Sequence, residues 1–269
     1  MNPEFNQAGR KFGYAALAAA VLLHGSSVAF AEDKPMAPAA PLQAIKDQRA
    51  LTLLKGMSDT LAQSKTLGFK ARSLVPIAAP TGQFVSLFGN SRVTMQRPDK
   101  LLVESRGDLF PSNLYYNGKT VTAVALDQKF YVQREAESAT LDAAIQNANP
   151  GADALAPFVE MLVSDPYAAL TDGMLTAMLV GQSTIDGVKT DHLAFTAKGV
   201  DWEIWIGSQD KLPRLLVVSH REGERQPTFT VAFSNWMLGK PIPAKTFSAT
   251  IPKDAVKLDF KLTSLPPSK

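Results

Sequence analysis

The sequence predicts an α+β protein built on an antiparallel sheet, and three observations carry that expectation. Ala50, Leu53, Leu54, Met57 and Leu61 fall at offsets 0, 3, 4, 7 and 11, a single stripe on a helix. The segments that follow are short, rich in β-branched and aromatic residues, and parted by tight turn signals, which join antiparallel neighbours because a parallel return needs a long crossover. Two further helical patterns then interrupt the strands before strands resume.

Taken in order, a helix over about residues 43–64 packs its stripe on the sheet, and Gly68 marks its exit. Phe69, Ala71 and Ser73 then share one face of a strand, with Lys70 and Arg72 on the other. Phe84 to Phe88 and Arg92 to Met95 flank Gly89-Asn90, which predicts a hairpin there. Leu101 to Glu104 form a strand after Pro98. Asn117-Gly118, suited to a type I′ turn, joins Leu114–Tyr116 to Thr120–Ala125, and Lys129 to Arg134 continue the meander.

Leu141, Ala144, Ile145 and Ala148 predict one short helix, and Leu155, Phe158, Val159 and Leu162 a second. Asn149-Pro150-Gly151 parts the two, and Asp165-Pro166 is expected to end the second. Six strands follow: Met174 to Gln182, Ser183 to Ile185, Val188 to Ala197, Asp201 to Ile206, Leu215 to His220 and Phe229 to Ser234. Their turns are read at Asp186-Gly187, Gly199, Gln209-Asp210 and Glu222-Gly223. Alternation sets Trp202, Ile204 and Ile206 against Trp205. It sets Phe229, Val231 and Phe233 against Thr230, Ala232, Ser234 and Trp236. A sheet that is apolar on both faces needs two covers.

The N-terminus carries an export pattern. Arg10-Lys11 precede an uncharged apolar run from Phe12 to Leu23, and Ala29-Phe30-Ala31 offers the small-x-small site of a signal peptidase. The run falls short of the roughly 20 residues that span a bilayer. Residues 1–31 are therefore expected to be a cleaved signal peptide, residues 32–42 a proline-rich flexible leader, and residues 43–269 one domain. The expected destination is the periplasm, as a soluble monomer with no transmembrane segment after processing.

Composition narrows the chemistry. The 269 residues contain no cysteine, which removes disulfides, Cys-ligated zinc, iron–sulfur clusters, cysteine nucleophiles and lipidation at an N-terminal Cys. Net charge is +3 and the basic residues are scattered, which argues against nucleic acid as a partner. After cleavage two histidines remain, His192 and His220, and neither HExxH nor an acidic calcium loop occurs, so no metal site and no cofactor are expected. There is no GxSxG elbow, GxGxxG or Walker loop, and Gly181-Gln182-Ser183 lacks a closing glycine because position 185 is Ile. Glu135, Glu137, Asp201 and Glu203 could pair in space, but solvated strand faces account for them more simply. No catalytic residue is assigned, and the chain is not expected to be an enzyme.

Apolar and aromatic sheet residues admit two readings: a two-sided core, or a curved sheet whose helices close over a cavity for an apolar ligand. Here a series of local patterns resembles a known family. The patterns are Arg97-Pro98-Asp99-Lys100, Tyr115-Tyr116-Asn117-Gly118-Lys119-Thr120, Lys129-Phe130-Tyr131, His192-Leu193-Ala194-Phe195, Asp201 to Ile206, Leu212-Pro213-Arg214 and Ser234-Asn235-Trp236. In this order, over roughly residues 45–262, they resemble the DUF2092 family of predicted periplasmic proteins, itself similar to the LolA/LolB lipoprotein-carrier superfamily. The resemblance implies a strongly curved antiparallel half-barrel, LolA-like, with helices covering its concave face, which in the carriers receives acyl chains. Without a cysteine for a LolB-type anchor, the LolA-like soluble form fits better. The implied function is a carrier or binding protein for a lipid, a lipoprotein acyl chain or another hydrophobic ligand. The alternative is an envelope sensor or protein-interaction module whose partner is an envelope protein. Residues 138–170 fit a lid offering Phe158, Met161 and Leu162 to the ligand, with Trp202 and Ile204 as opposing wall; ordinary core packing is the competing role of each.

Overall fold

A computed structural model describes residues 45–258, apart from 109, 138, 147–157 and 222–225. The predicted signal peptide and leader, and the turn at Glu222-Gly223, lie outside the described residues. Helix α1 (Gln48–Ala62) starts where the Asp47 carboxylate accepts the Arg49 backbone N–H. Its predicted stripe is the packed face: Ala50, Leu54, Met57 and Leu61 are fully buried. Each Leu or Met so buried contributes about 1.5–3 kcal/mol. The helix is shorter than expected because residues 45–47 run beside the sheet instead, with Lys46 bridged to Ala177 in parallel.

Six strands follow: β1 (Thr66–Ala78), β2 (Phe84–Gln96), β3 (Lys100–Gly107), β4 (Ser112–Tyr116), β5 (Thr120–Ala125) and β6 (Phe130–Glu135). Helix α2 (Leu141–Gln146), a 3-10 turn (Val159–Met161) and helix α3 (Pro166–Thr171) come next. The chain returns to strands β7 (Met174–Ile185), a single strand where the sequence predicts separate ones at Met174 to Gln182 and Ser183 to Ile185, β8 (Val188–Ala197), β9 (Val200–Gly207), β10 (Pro213–His220) and β11 (Thr228–Leu238). A second 3-10 turn (Ala244–Phe247) and a short β12 (Val256–Lys257) complete it. All twelve strands belong to one open sheet in the order β12-β6-β5-β4-β3-β2-β1-β11-β10-β9-β8-β7. Every pair is antiparallel except β12 on β6. The sheet curves around α1 and the segment from α2 to α3, the architecture expected from the sequence.

One core cluster fills the concave face. It joins Leu67, Phe69, Val93, Met95, Leu193, Phe195, Ile204, Val231 and Phe233 of the sheet to Leu54, Met57, Phe158 and Met161 of the helical side. A smaller cluster on the convex face packs Leu102, Tyr115 and Val124 under Phe247, with Ile242 and Ile251 beside it. The two covers inferred from the two-faced apolar pattern are therefore unequal. Short helices cover one face, and the irregular stretch after β11 covers part of the other.

Three local expectations are corrected. Gly89-Asn90 is not a turn: it runs straight through β2, opposite Ser73 and Arg72 on one side and Gly107 and Arg106 on the other. Glycine is needed at 89 for close approach, since a Cβ there would lie 2.6 Å from Ser73 Oγ. The hairpin closes instead at Pro80-Thr81-Gly82, where Gly82 N–H donates to the Ala79 carbonyl at 2.8 Å and Gly82 has φ 81. Second, Asp165-Pro166 does not end a helix but begins one. Asp165 caps α3 by accepting the Ala168 N–H, and proline suits the first turn because it has no N–H to leave unpaired. Third, Trp236 does not face away from Phe233. The β1–β11 register shifts between Gly68 and Lys70, and Asn235 takes a left-handed conformation with φ 55. That bulge turns Trp236 back onto the concave face, 4.5 Å from Phe69 between ring centroids.

The bulge gives the first prediction. Asn235→Val should lower stability by about 1–2 kcal/mol, because a β-branched residue resists positive φ, whereas Asn235→Gly should stay near wild type. Urea unfolding followed by tryptophan fluorescence measures both.

Candidate functional site

The concave face is where the predicted ligand residues meet. Ile204 and Trp202 stand on β9, and alternation does place them inward with Ile206 while Trp205 points to the convex side. Trp202 stacks on Phe195 of β8 with centroids 4.0 Å apart. Phe158 stands just before the 3-10 turn and meets Phe69 edge-on at 5.6 Å, and Phe69 in turn meets Phe233 at 5.7 Å. Met161 closes the turn and Leu162 caps it. All five residues are buried in the same cluster. The structure thus brings them together, three from the helical side and two from the sheet, as packed side chains.

The segment over this face has little helical strength of its own. α2 and α3 have six residues each and the 3-10 turn three, far below the length at which an isolated helix is stable. The second predicted helix, through Leu155 to Leu162, is described only from Phe158 onward and forms the 3-10 turn there. Polar ties hold the segment across the sheet. Half-buried Arg97, at the end of β2, donates to the Leu162 carbonyl at 2.9 Å and the Val163 carbonyl at 2.8 Å. Asp142 of α2 accepts from the Ser164 N–H and hydroxyl. Ser58 of α1, buried, accepts the Tyr167 N–H at 2.8 Å. Burial holds Arg97 below the usual arginine range, with Asp142 acting in the opposite sense. An arginine stays charged there, and its Nε is buried without a partner among the described residues.

Arg97 and Asp142 were missed as site residues. Arg97 opens the Arg97-Pro98-Asp99-Lys100 pattern, and its basic charge just after an apolar strand, followed by proline, is the available signal. The titratable and hydroxyl groups of the strands are dispersed. His192 stacks on Trp205 at 3.8 Å and shares a hydrogen bond with Glu203 at 2.7 Å on the convex face. His220 lies at the far end of β10. Glu137 pairs with Arg134 and Asp201 with Arg221. Ser183, on edge strand β7, shares a hydrogen bond with Thr190. Away from the core, an open surface pocket of about 610 Å³ lies between the ends of α1 and β11, beside Gln63, Lys65 and Leu238. No helix of the described residues is long and apolar enough to cross a membrane.

An open, curved antiparallel sheet with short helices tied into its concave side defines the class of protein. The chain belongs to DUF2092, a family described as predicted periplasmic protein, whose model matches residues 50–261. That membership places it in the periplasm, as read from the sequence. No curated protein matches the chain in sequence. Among solved structures it is similar to MucB, with 14% identity and a TM-score of 0.47 over 78% of this chain and 66% of that one. The chain thus spans just under two thirds of MucB. It is also similar to the Mycobacterium tuberculosis lipoprotein LppX, at 11% identity and TM-score 0.41 over 74% of this chain and all of that one. A LolA superfamily protein from Nitrosomonas europaea shows 11% identity and TM-score 0.33 over 74% of this chain and 97% of that one. These likenesses concern the fold alone.

The Arg97 ties yield a second prediction. Arg97→Ala leaves the Leu162 and Val163 carbonyls without their donor, at a cost of about 1–3 kcal/mol. Hydrogen exchange should quicken over residues 158–171 while the amides of β8 to β10 keep their protection.

Proposed function

We propose that the chain is a periplasmic carrier or binding protein for a lipid, a lipoprotein acyl chain or another hydrophobic ligand, and that it acts without catalysis. The observation that supports this reading is the construction of the concave face. Its apolar floor belongs to a continuous sheet, while Phe158, Met161 and Leu162 belong to a segment held by a few polar ties. Movement of that segment exchanges the Phe158–Phe69 contact for contact with a ligand and leaves the strand ladder intact. Met161 suits such exchange, because an unbranched thioether adapts to irregular apolar shapes. Trp202 and Ile204 supply the opposite wall.

A fluorescent fatty acyl probe tests the proposal. Wild-type protein should bind it saturably and release it to unlabelled fatty acid. Phe158→Ala should weaken binding while the thermal midpoint changes little. A residue that serves packing alone would instead lose about 3–5 kcal/mol of stability with no specific effect on the probe. Failure of the wild type to bind any acyl probe removes the carrier reading.

The second reading, an envelope sensor or protein-interaction module, has its own support. Edge strand β7 exposes Leu175, Met178 and Val180, and past Ala177 no described strand pairs with its outer side. An open apolar edge invites an added strand. Native mass spectrometry of protein taken from the periplasmic fraction separates the readings: a retained lipid favours the carrier, a retained protein the module. The same preparation tests export, since cleavage after Ala31 should give an N-terminus at Glu32.

A further inference from the structure

The β1–β2 hairpin extends beyond the sheet that carries it. β1 last pairs with β11 at Leu74, opposite Thr230, and β2 first pairs with β3 at Gly89, opposite Gly107. Residues 75–88 therefore project as a two-stranded ribbon. At about 3.4 Å per residue its four rungs run about 14 Å past their last pairs with β11 and β3, before the Pro80-Thr81-Gly82 turn is added. The root is held on the β2 side by Asp108, whose N–H donates to the Phe88 carbonyl and whose carboxylate accepts the Phe88 N–H at 2.7 Å.

The ribbon is apolar on both faces. Leu74, Phe84 and Phe88 stand on the convex side and Ile77 and Val85 on the concave side, each 39–49% exposed. A protein partner seated on one face would leave the other wet; an apolar medium that surrounds the ribbon covers both. Charge at the root selects which medium. Lys70, Arg72, Arg92 and Arg106 are exposed on the convex side, with Lys70 directly opposite Arg92 and only Asn90 between Arg72 and Arg106. No ion pair among the described residues engages them. Glu104, opposite Arg92, and Asp108 are the acids nearest this group in the pairing, and no Asp or Glu occurs in sequence between Asp59 and Asp99. Two copies meeting through this face would each bring four cations against the two acids Glu104 and Asp108, a net repulsion.

We infer that the 75–88 ribbon docks the protein on a bilayer surface bearing anionic phospholipid headgroups. Phe84, Val85, Phe88, Leu74 and Ile77 enter the interfacial layer, and Lys70, Arg72, Arg92 and Arg106 form a basic collar at headgroup level. The ribbon's edges pair with no strand among the described residues and stop it there, because in the hydrocarbon core their N–H and C=O groups would lose water without gaining partners. The docking is separate from cargo: the ribbon's convex residues lie outside the concave core cluster.

Vesicle co-sedimentation tests it with protein recovered from the periplasmic fraction. The wild type should pellet with phosphatidylethanolamine vesicles containing phosphatidylglycerol, release at high salt, and leave phosphatidylcholine vesicles unbound. Phe84→Ser with Phe88→Ser should reduce binding at least tenfold. Arg72→Gln with Arg92→Gln should reduce it about 25-fold, at about fivefold per basic residue. All four positions are exposed, so the thermal midpoint and any binding of a soluble acyl probe should stay at wild-type values. The inference is overturned if the wild type ignores phosphatidylglycerol or if both variants bind as the wild type does. It is also overturned if the serine variant instead abolishes a dimer seen without vesicles, which would make a second copy the occupant, or a protein complex retained from the periplasm, which would make a protein the occupant.

Discussion

Phe69 is the contact on which the arrangement turns. It stands on β1 at the middle of the sheet, touching Phe233 and Trp236 of β11 on its own layer and Phe158 of the helical segment above. Aromatic pairs in edge or tilted geometry contribute about 0.5–1.5 kcal/mol each beyond the area they bury. Here they join two strands from opposite ends of the chain to the cover of the concave face. The bulge at Asn235 exists in the service of that cluster, because without the extra residue Trp236 would face away from Phe69.

The two parts of the concave cover differ in kind. α1 is a four-turn helix with a capped start and a continuous buried stripe. The described parts of the α2-to-α3 segment are short helices and a 3-10 turn, tied through side chain–backbone hydrogen bonds. Such ties have a modest net worth because water replaces them when they open. Local opening of this kind falls at the low end of the stability range within a domain.

Much of this was legible in the residues. The α1 stripe, the hairpin around Gly118 and the in/out alternation of Trp202 to Ile206 follow from periodicities of 3.6 and 2 and from turn chemistry, although the turn centres on Gly118-Lys119 rather than Asn117-Gly118. What failed failed for identifiable reasons. At Gly89, close approach to Ser73 competes with turn formation as a reason for glycine, and a sequence does not distinguish them. At Asp165-Pro166 the same dipeptide that discourages a helix before it favours one after it. At Trp236 a single extra residue inverted the face. The five candidate ligand residues were placed together by pattern, but the Arg97 tie was not visible, because it joins residues 65 positions apart through backbone carbonyls.

The strand order also sets how the domain can be assembled. β1 to β6 form one ladder of sequence neighbours and β7 to β11 another, and each can grow by closing short loops. The seam between β1 and β11 is different, since Ala71 and Phe233 pair across roughly 160 residues and closing so long a loop is entropically costly. High-contact-order seams of this kind slow folding. Any state in which the seam has not closed leaves the inner edges of β1 and β11 without their partners, and such edges are open to whatever else the envelope offers, chaperone or aggregate.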